Sequence, residues 1–190
     1  MLASRNAHKL RELRALLAPH ALDPLPPAVE LPPEDGTSFR ENALIKARAA
    51  ARATGSTALA DDSGIEVAAL GGAPGIHSAR FAGEDATDEE NLAKLIRELD
   101  RVDDRRAAYV CVLAVAEPEG AEHVFEARCE GRLVDVPRGE GGFGYDPIFV
   151  PKEHDSASRT MSELAPEEKD AISHRGKAAR QLASWLASRP

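Results

Sequence analysis

Two kinds of hydrophobic pattern alternate along the chain. Apolar residues spaced three or four apart predict helices, and short unbroken apolar runs predict buried strands. The helical spacing covers residues 10–17, 39–50, 92–99 and 178–186. The strand-like runs are residues 2–3, 57–60, 107–116, 122–134 and 148–150. Runs 107–116 and 122–134 are joined by a short turn and predict a hairpin, so the whole pattern predicts an α/β fold with a mixed sheet.

Local signals mark several helix ends. Ser38 and Glu41 have capping-box spacing, as do Thr87 and Glu90, and Gly55 suits the C-cap of the helix that Ser38 begins. We expect these two helices to end at about residues 54 and 100. Between the first two helices, residues 19–33 contain six prolines, which remove amide donors and disfavour helix. This proline-rich segment is predicted to be an extended connector.

The run at 57–60 leads directly into Asp61-Asp62-Ser63-Gly64. We expect the strand to stop there and to present two carboxylates at its carboxyl end, where ligands bind in open α/β sheets. Because adjacent strand residues point to opposite faces, Asp61 and Asp62 cannot both address one ligand, so one is predicted to be catalytic and the other structural. A plain turn is the competing interpretation, since Asp, Ser and Gly are common turn formers.

A polar loop, residues 4–9, lies between the first predicted strand and the first predicted helix. The free N–H groups at a helix N-terminus favour anions, and Ser4, Asn6 and Lys9 add further donors. The loop is therefore a candidate phosphate cradle, although it has no Walker pattern. The alternative is a loop that only caps a surface helix.

A glycine-rich loop, residues 139–147, displays Phe143, Tyr145 and Asp146 before the last predicted strand. An aromatic side chain on such a loop can serve as a stacking platform for a base. The alternative is a hydrophobic plug over the core. Lys169 and the pair His174-Arg175 follow, and they are either a basic ligand-binding group or a solvated face.

Composition and charge narrow the classes of function. The 190 residues are 43% hydrophobic and 29% charged, which fits one soluble globular domain over residues 1–190. No apolar stretch approaches the roughly 20 residues that cross a bilayer, and there is no signal-peptide pattern, so we predict a cytoplasmic protein without membrane contact. The net charge of −8 argues against nucleic-acid binding and leaves room for a small anion bound locally. Cys111 and Cys129 are predicted to be free core thiols.

Six motifs in fixed order carry a family resemblance over nearly the whole chain. They are SRNAHK, FRENALIKA, ADDSGIEV, LGGAPGIHSARF, GGFGYDPIF and ISHRGKA. Each is weak alone, but together they closely resemble the inosine triphosphate pyrophosphatases, also called dITP/XTP pyrophosphatases. The resemblance implies an elongated mixed sheet flanked by helices, two lobes with a nucleotide cleft between them, and a homodimer. It also implies Mg²⁺-dependent hydrolysis of ITP, dITP or XTP to the monophosphate and pyrophosphate.

The same resemblance implies roles for individual residues. Asp62 would be the metal-linked proton acceptor, and Glu34 is our choice for the second metal ligand. The triphosphate would be bound by Ser4, Arg5, Asn6, Ala7, His8 and Lys9. The rest of the nucleotide would contact Ser63, Phe143, Gly144, Tyr145, Asp146, Lys169, His174 and Arg175. The family often has Thr-Gly-Asn in the first motif, so Arg5 adds a bulky cation at this point.

Three other functions compete with this hypothesis. A related pyrophosphatase could act on pyrimidine or modified nucleotides, because the phosphate chemistry would be the same. A nucleotide-binding regulator would bind ITP without releasing pyrophosphate, and the intact Asp62 speaks against it. A serine hydrolase could use Ser63 with His77 or His174, but the chain lacks the G-x-S-x-G elbow.

Overall fold

The computed structural model describes residues 1–189, and it has an α/β fold. The helices are α1 (Ala7–Leu16), α2 (Phe39–Thr54), α3 (Asp88–Glu98), α4 (Pro166–Ile172) and α5 (His174–Ala187). The strands are β1 (Ala58–Val67), β2 (Arg106–Ala116), β3 (Glu122–Leu133) and β4 (Phe149–Pro151). The four predicted helices and the predicted hairpin of β2 and β3 are present, and α1 and α5 begin three and four residues before the first apolar residue of their predicted patterns.

The capping signals at the ends of α2 and α3 act largely as predicted. Ser38 Oγ accepts the N–H of Glu41 at 3.2 Å, and Gly55 ends α2 with a left-handed φ of 62°. The Glu41 carboxylate, however, accepts from Thr37 rather than from Ser38, so only half of the expected capping box forms. At α3 the full reciprocal box of Thr87 and Glu90 is present.

The sheet has four strands in chain order, β1-β2-β3-β4. Strands β3 and β4 are antiparallel, with Gly131 opposite Pro151. The predicted first strand reduces to Leu2, which makes isolated parallel bridges to Leu59 and Pro24 and so gives the sheet its mixed character. Ile148 ends a short 3₁₀ turn instead of beginning β4.

Strand β1 corrects one prediction, because it continues through Asp61-Asp62-Ser63-Gly64 to Val67 instead of stopping there. Ile65 and Val67 are fully buried, and burying them continues the strand past four residues that favour turns in other contexts. Gly64 allows the short helical segment Gly75–Arg80 to approach β1. There Ser78 Oγ accepts the N–H of Ile65 at 2.9 Å and donates to Gly75 O at 2.6 Å.

Residues of the chain group into two compact units, each with its own hydrophobic core. The first unit comprises Met1–Asp62, Cys111–Ala127 and the chain from Arg175 onward, and its core includes Leu13, Leu113 and Leu182. The second comprises Ser63–Val110 and Arg128–His174, and its core includes Ile65, Leu95 and Phe149. The predicted nucleotide cleft and the assignment of residues 1–190 to one functional domain stay predictions.

Both cysteines, Cys111 and Cys129, are buried free thiols, as predicted. Within residues 1–189, the structure contains no helix whose length and apolar content would let it cross a membrane.

We predict that Gly64→Ala destabilises the protein by about 1–3 kcal/mol, because overpacking has a cost of this order. An added Cβ would lie only 2.5 Å from Gly75 O and would also overlap Ser78 Oγ. The free energy of unfolding in urea measures the effect. Ser56→Ala, at an exposed position, is the control and should change it by less than about 0.5 kcal/mol. Equal stability of the two variants would contradict the close approach at Gly64.

Candidate active site

Two adjacent carboxylates in the middle of β1 are the centre of the candidate site. Asp61 is 0% exposed and Asp62 is 5% exposed, and as neighbours in a strand they face opposite sides of it. The two side chains contact different cations. This agrees with the expectation that they do not share one ligand.

Asp61 is neutralised from two directions. Its Oδ1 lies 2.5 Å from Lys9 Nζ, and its Oδ2 accepts from Arg175 Nε at 2.9 Å. The thiol of Cys111 is 3.3 Å from the same Oδ2, and Arg175 Nη1 also reaches Glu12 at 2.6 Å. Lys9 comes from α1 and Arg175 from α5, so this carboxylate connects β1 to two helices.

The pKa values of this group follow from burial and its charges. Burial alone would raise the pKa of the Asp61 carboxyl, but Arg175 and Lys9 outweigh it and hold that pKa well below its usual range. Burial and the nearby Asp61 charge raise the pKa of the Cys111 thiol. The charged form of Asp61 is therefore favoured at neutral pH, as is the neutral thiol of Cys111.

Asp62 belongs to a second group that is built around Lys46 of α2. Lys46 Nζ donates to Glu34 Oε1 at 2.6 Å, to Asp62 Oδ1 at 2.8 Å and to the carbonyl of Asp61 at 2.9 Å. The other Asp62 oxygen, Oδ2, is buried and has no hydrogen-bond partner anywhere in residues 1–189. A buried anionic oxygen without a donor is costly, so this position suits a further cation or a proton.

Asp62 and Glu34 share the ammonium of Lys46. Burial raises the pKa of Asp62, and the attraction of Lys46 offsets only part of that rise. Burial alone would lower the pKa of Lys46, but Asp62 and Glu34 raise it. Lys46 therefore stays charged, while Asp62 is ready to take a proton or a cation.

Asp62 and Glu34 fit the requirements of Mg²⁺. The metal takes hard oxygen ligands, and it is usually held by one or two carboxylates plus substrate phosphates and water. Within residues 1–189, no group of three or more His, Cys, Asp and Glu side chains converges on a metal position. The two carboxylates would thus supply only part of a coordination shell.

Lys46 is the residue that the sequence analysis missed. Lys46 is 5% exposed and lies on the buried side of α2. A signal was present, because Lys46 is three residues after Ala43 and four before Ala50, both fully buried. A lysine at core spacing near two predicted carboxylates indicates a buried ion pair.

The loop of residues 4–9 uses part of its donor capacity internally. Asn6 is the N-cap of α1, and its Oδ1 accepts the N–H groups of His8 at 2.9 Å and Lys9 at 3.1 Å. Ser4 Oγ accepts the N–H of Asn6, and the His8 ring contacts Arg11. The predicted cradle therefore offers fewer free amides than its sequence suggests. Ala7 is the first residue of α1.

Arg5 points to the proline-rich segment. Its Nη1 donates to the carbonyl of Leu25, and its Nη2 lies within 3.1 Å of three further carbonyls. The prediction that it is a phosphate ligand gains no support from this geometry.

The glycine-rich loop is organised by a buried carboxylate. Asp146 Oδ2 accepts from Lys169 Nζ at 2.7 Å and from the N–H of Phe143 at 3.0 Å. Lys169 Nζ also lies 5.1 Å from the centroid of the Phe143 ring, which is partly exposed. Gly142 adopts φ 74°, and a Cβ there would overlap the Asp146 carboxylate. The structure thus brings together three of the predicted residues, Phe143, Asp146 and Lys169. The Phe143 ring is positioned through the hydrogen bond from its backbone N–H to Asp146.

Two more contacts fix this loop. Tyr145 is buried and donates its hydroxyl to Ser78 O at 2.8 Å, and the N–H of Gly144 donates to Asp88 Oδ2 at 3.0 Å. The His174 ring stacks on Tyr109, with centroids 4.6 Å apart and planes at 6°. Ser63 is only partly buried in β1. Direct nucleotide contacts by these residues stay predictions.

The sequence matches the model of the Ham1 family over residues 1–185. It is similar to a dITP/XTP pyrophosphatase of Geobacillus kaustophilus, with 50% identity over 189 residues that cover 96% of this chain and 91% of the relative. It is also similar to a dITP/XTP pyrophosphatase of Corynebacterium diphtheriae, with 47% identity over 198 residues that cover 98% and 96%.

Solved structures agree with the sequence relatives. A HAM1 protein from Coxiella burnetii has a TM-score of 0.88 at 45% identity and covers 99% of this chain and 98% of its own. The Staphylococcus aureus Ham1 protein has a TM-score of 0.86 at 41% identity, with 98% and 96% covered.

We predict that Asp61→Asn lowers the free energy of unfolding by about 3–5 kcal/mol at neutral pH, because it removes the buried negative charge that Lys9 and Arg175 both contact. The folded pKa of Asp61 lies below its unfolded pKa, so its contribution is present above about pH 4 and is lost as the pH falls toward the folded value. Urea unfolding from pH 7 to pH 3 measures it. Glu119→Gln, an exposed carboxylate, is the control. A deficit that is independent of pH would contradict the assignment.

Proposed function

The chain belongs to the Ham1 family, and on that premise we propose that it hydrolyses non-standard purine nucleoside triphosphates, such as dITP, XTP and ITP, to the monophosphate and pyrophosphate. The names of the similar proteins from Geobacillus and Corynebacterium support the substrate class. One observation carries the assignment of the reacting centre. It is the buried Oδ2 of Asp62, which has no hydrogen-bond partner within residues 1–189, while Lys46 joins Asp62 Oδ1 to Glu34.

We propose that Asp62 and Glu34 hold Mg²⁺. When bound, the ion would offset the repulsion between these carboxylates and a polyanionic substrate and would polarise the phosphate oxygens. Lys46 would keep the two carboxylates oriented, because its ammonium hydrogen bonds to both of them.

Asp62 would act as the proton acceptor for the attacking water. A general base works best when its pKa lies closer to the working pH, and burial raises the pKa of Asp62 in that direction. Its Oδ1 is fixed by Lys46, so Oδ2 is the oxygen available to the water. Attack on the α-phosphorus would then release pyrophosphate as the leaving group.

Lys9 would stabilise the charge that grows on the departing pyrophosphate. Its ammonium lies 2.5 Å from Asp61 Oδ1 and is partly exposed, with 15% of the side chain accessible. Asp61 would therefore hold a cation in place before the substrate arrives, which spares reorganisation during the reaction. Ser4 and the free amides at the start of α1 would bind the remaining phosphate oxygens.

The purine base would stack on Phe143, whose backbone Asp146 fixes. Selection would occur at position 6 of the purine, because a donor aimed at a 6-oxo group is left unpaired against a 6-amino group. Loop amides and His174 are the proposed donors. Arg175, also a predicted nucleotide contact, is 2% exposed and bound to Asp61 and Glu12, so we propose a structural role for it.

A homodimer, a cytoplasmic location and the absence of nucleic-acid partners stay predictions. A pyrimidine or modified-nucleotide substrate and a non-catalytic regulator also stay open as alternatives. Pyrophosphate release measured across the common and the non-standard nucleoside triphosphates, with and without Mg²⁺, separates these possibilities. A preference for dITP, XTP or ITP that requires Mg²⁺ supports the proposal.

We predict that Asp62→Asn lowers kcat by about 10²- to 10⁴-fold, the usual effect of losing a positioned general base. The variant should fold, because an amide at this site removes a charge that burial disfavours. Steady-state pyrophosphate release from dITP and thermal unfolding measure the two effects.

Glu119→Gln, an exposed carboxylate, is the control for kcat and should keep wild-type activity. Asp61→Asn is the comparison for stability, since its main loss should be in the free energy of unfolding. Activity of Asp62→Asn within about threefold of wild type would overturn the assignment of the base. Full activity in the presence of a metal chelator would instead support the alternative of a serine hydrolase that uses Ser63.

We predict that Lys9→Ala and Phe143→Ala change different kinetic parameters. Lys9→Ala should lower kcat for every nucleotide, because the lost charge acts on the leaving group. Phe143→Ala should cost roughly 1–3 kcal/mol of stacking, seen as a raised KM with little change in base preference. Kinetics with dITP, XTP and ATP at a temperature where both variants are folded would measure this. Arg40→Ala, an exposed cation on α2, is the charge control. An unchanged kcat in Lys9→Ala would mean that the triphosphate does not bind beside Lys9.

A further inference from the structure

The proline-rich segment has few backbone N–H donors for its carbonyl acceptors. Six prolines in residues 19–33 lack N–H groups, so the segment cannot pair as a regular strand. Its contact with the sheet is the isolated bridge of Pro24 to Leu2. Its carbonyl oxygens still need donors. A side chain that supplies several donors at once can therefore fix the conformation of this segment.

Arg5 supplies these donors. Nη1 donates to Leu25 O at 3.1 Å, and Nη2 contacts the carbonyls of Pro26 at 3.0 Å, Pro27 at 3.1 Å and Val29 at 2.7 Å. A guanidinium carries five N–H donors in a rigid planar fork, which a lysine ammonium cannot reproduce. One side chain thus binds four carbonyls within five consecutive residues.

Arg5 lies beside residues of the proposed active site, so its contact with the proline-rich segment can affect activity. Arg5 lies between Ser4 and Asn6, in the loop that the proposed function assigns to the triphosphate. The proline-rich segment leads to Glu34, which accepts from Lys46 and is the proposed second metal ligand. The Arg5 guanidinium therefore connects the 4–9 loop, which is proposed to bind the phosphates, with the segment that precedes Glu34, the proposed metal ligand.

We propose that Arg5 is a positioning residue that holds the proline-rich segment against the 4–9 loop and does not itself bind phosphate. Its role in activity rests on the proposed function, whereas its contact with the segment does not. The consequence for the enzyme is a preorganised arrangement of Glu34 and the phosphate loop before the substrate binds.

The experiment compares Arg5→Lys with Arg5→Ala. If Arg5 positions the segment, both variants should raise KM for dITP by a similar factor, roughly tenfold, because neither keeps the planar fork. Hydrogen exchange of the Val29 amide, whose N–H donates to Pro26 O at 3.1 Å, should also become faster in both variants without substrate. If Arg5 binds phosphate, Arg5→Lys should keep most of the affinity, and exchange in the substrate-free protein should match wild type. That result would overturn the proposal.

Arg14→Lys is the matched control. Arg14 Nε donates to a single carbonyl of the same segment, Leu22 O, at 2.8 Å, and lysine can still make one such bond. We expect wild-type kinetics and exchange from it. If wild-type protein released no pyrophosphate from dITP, the proposed function would fail, while the exchange data would still decide whether Arg5 holds the segment.

Discussion

Two neighbouring carboxylates buried in the middle of one strand impose the main constraint on the first unit. Asp61 and Asp62 face opposite sides of β1, so each needs its own positive charges. Lys9 from α1 and Arg175 from α5 serve Asp61, and Lys46 from α2 serves Asp62. The three helices are tied to one strand by charge as well as by apolar packing. A change in the register of β1 by one residue would exchange the two carboxylates and leave both groups of cations mismatched.

The two carboxylates of β1 differ in their partners, and this difference separates structure from chemistry. Asp61 has two cations, which lower its pKa. Asp62 shares Lys46 with Glu34, and burial raises its pKa. A buried carboxylate with one oxygen lacking a donor within residues 1–189 stabilises the fold less, but it can bind a metal or accept a proton. Perturbed carboxylates of this kind are typical of functional sites.

The second unit uses a buried carboxylate in another way. Asp146 accepts from Lys169 and from the backbone of Phe143, so it orders a glycine-rich loop that would otherwise have many accessible conformations. The same loop is held by Asp88, on α3, through Gly144. Through this contact, α3 supports the loop that carries the stacking candidate.

The sequence by itself determined the α/β class, the capped helices, the hairpin and the family, because these depend on local periodicity, on turn and cap chemistry and on motif order. It also separated Asp61 from Asp62, since alternation along a strand is a local property. Tertiary structure alone decided that β1 runs through Asp61-Asp62-Ser63-Gly64, because the burial of Ile65 and Val67 overrides a local preference for a turn. It also decided where long cationic side chains reach. Arg5 and Arg175 engage partners about 20 to 160 residues away, and Lys46 joins Glu34 to Asp62, pairings that no local spacing contains.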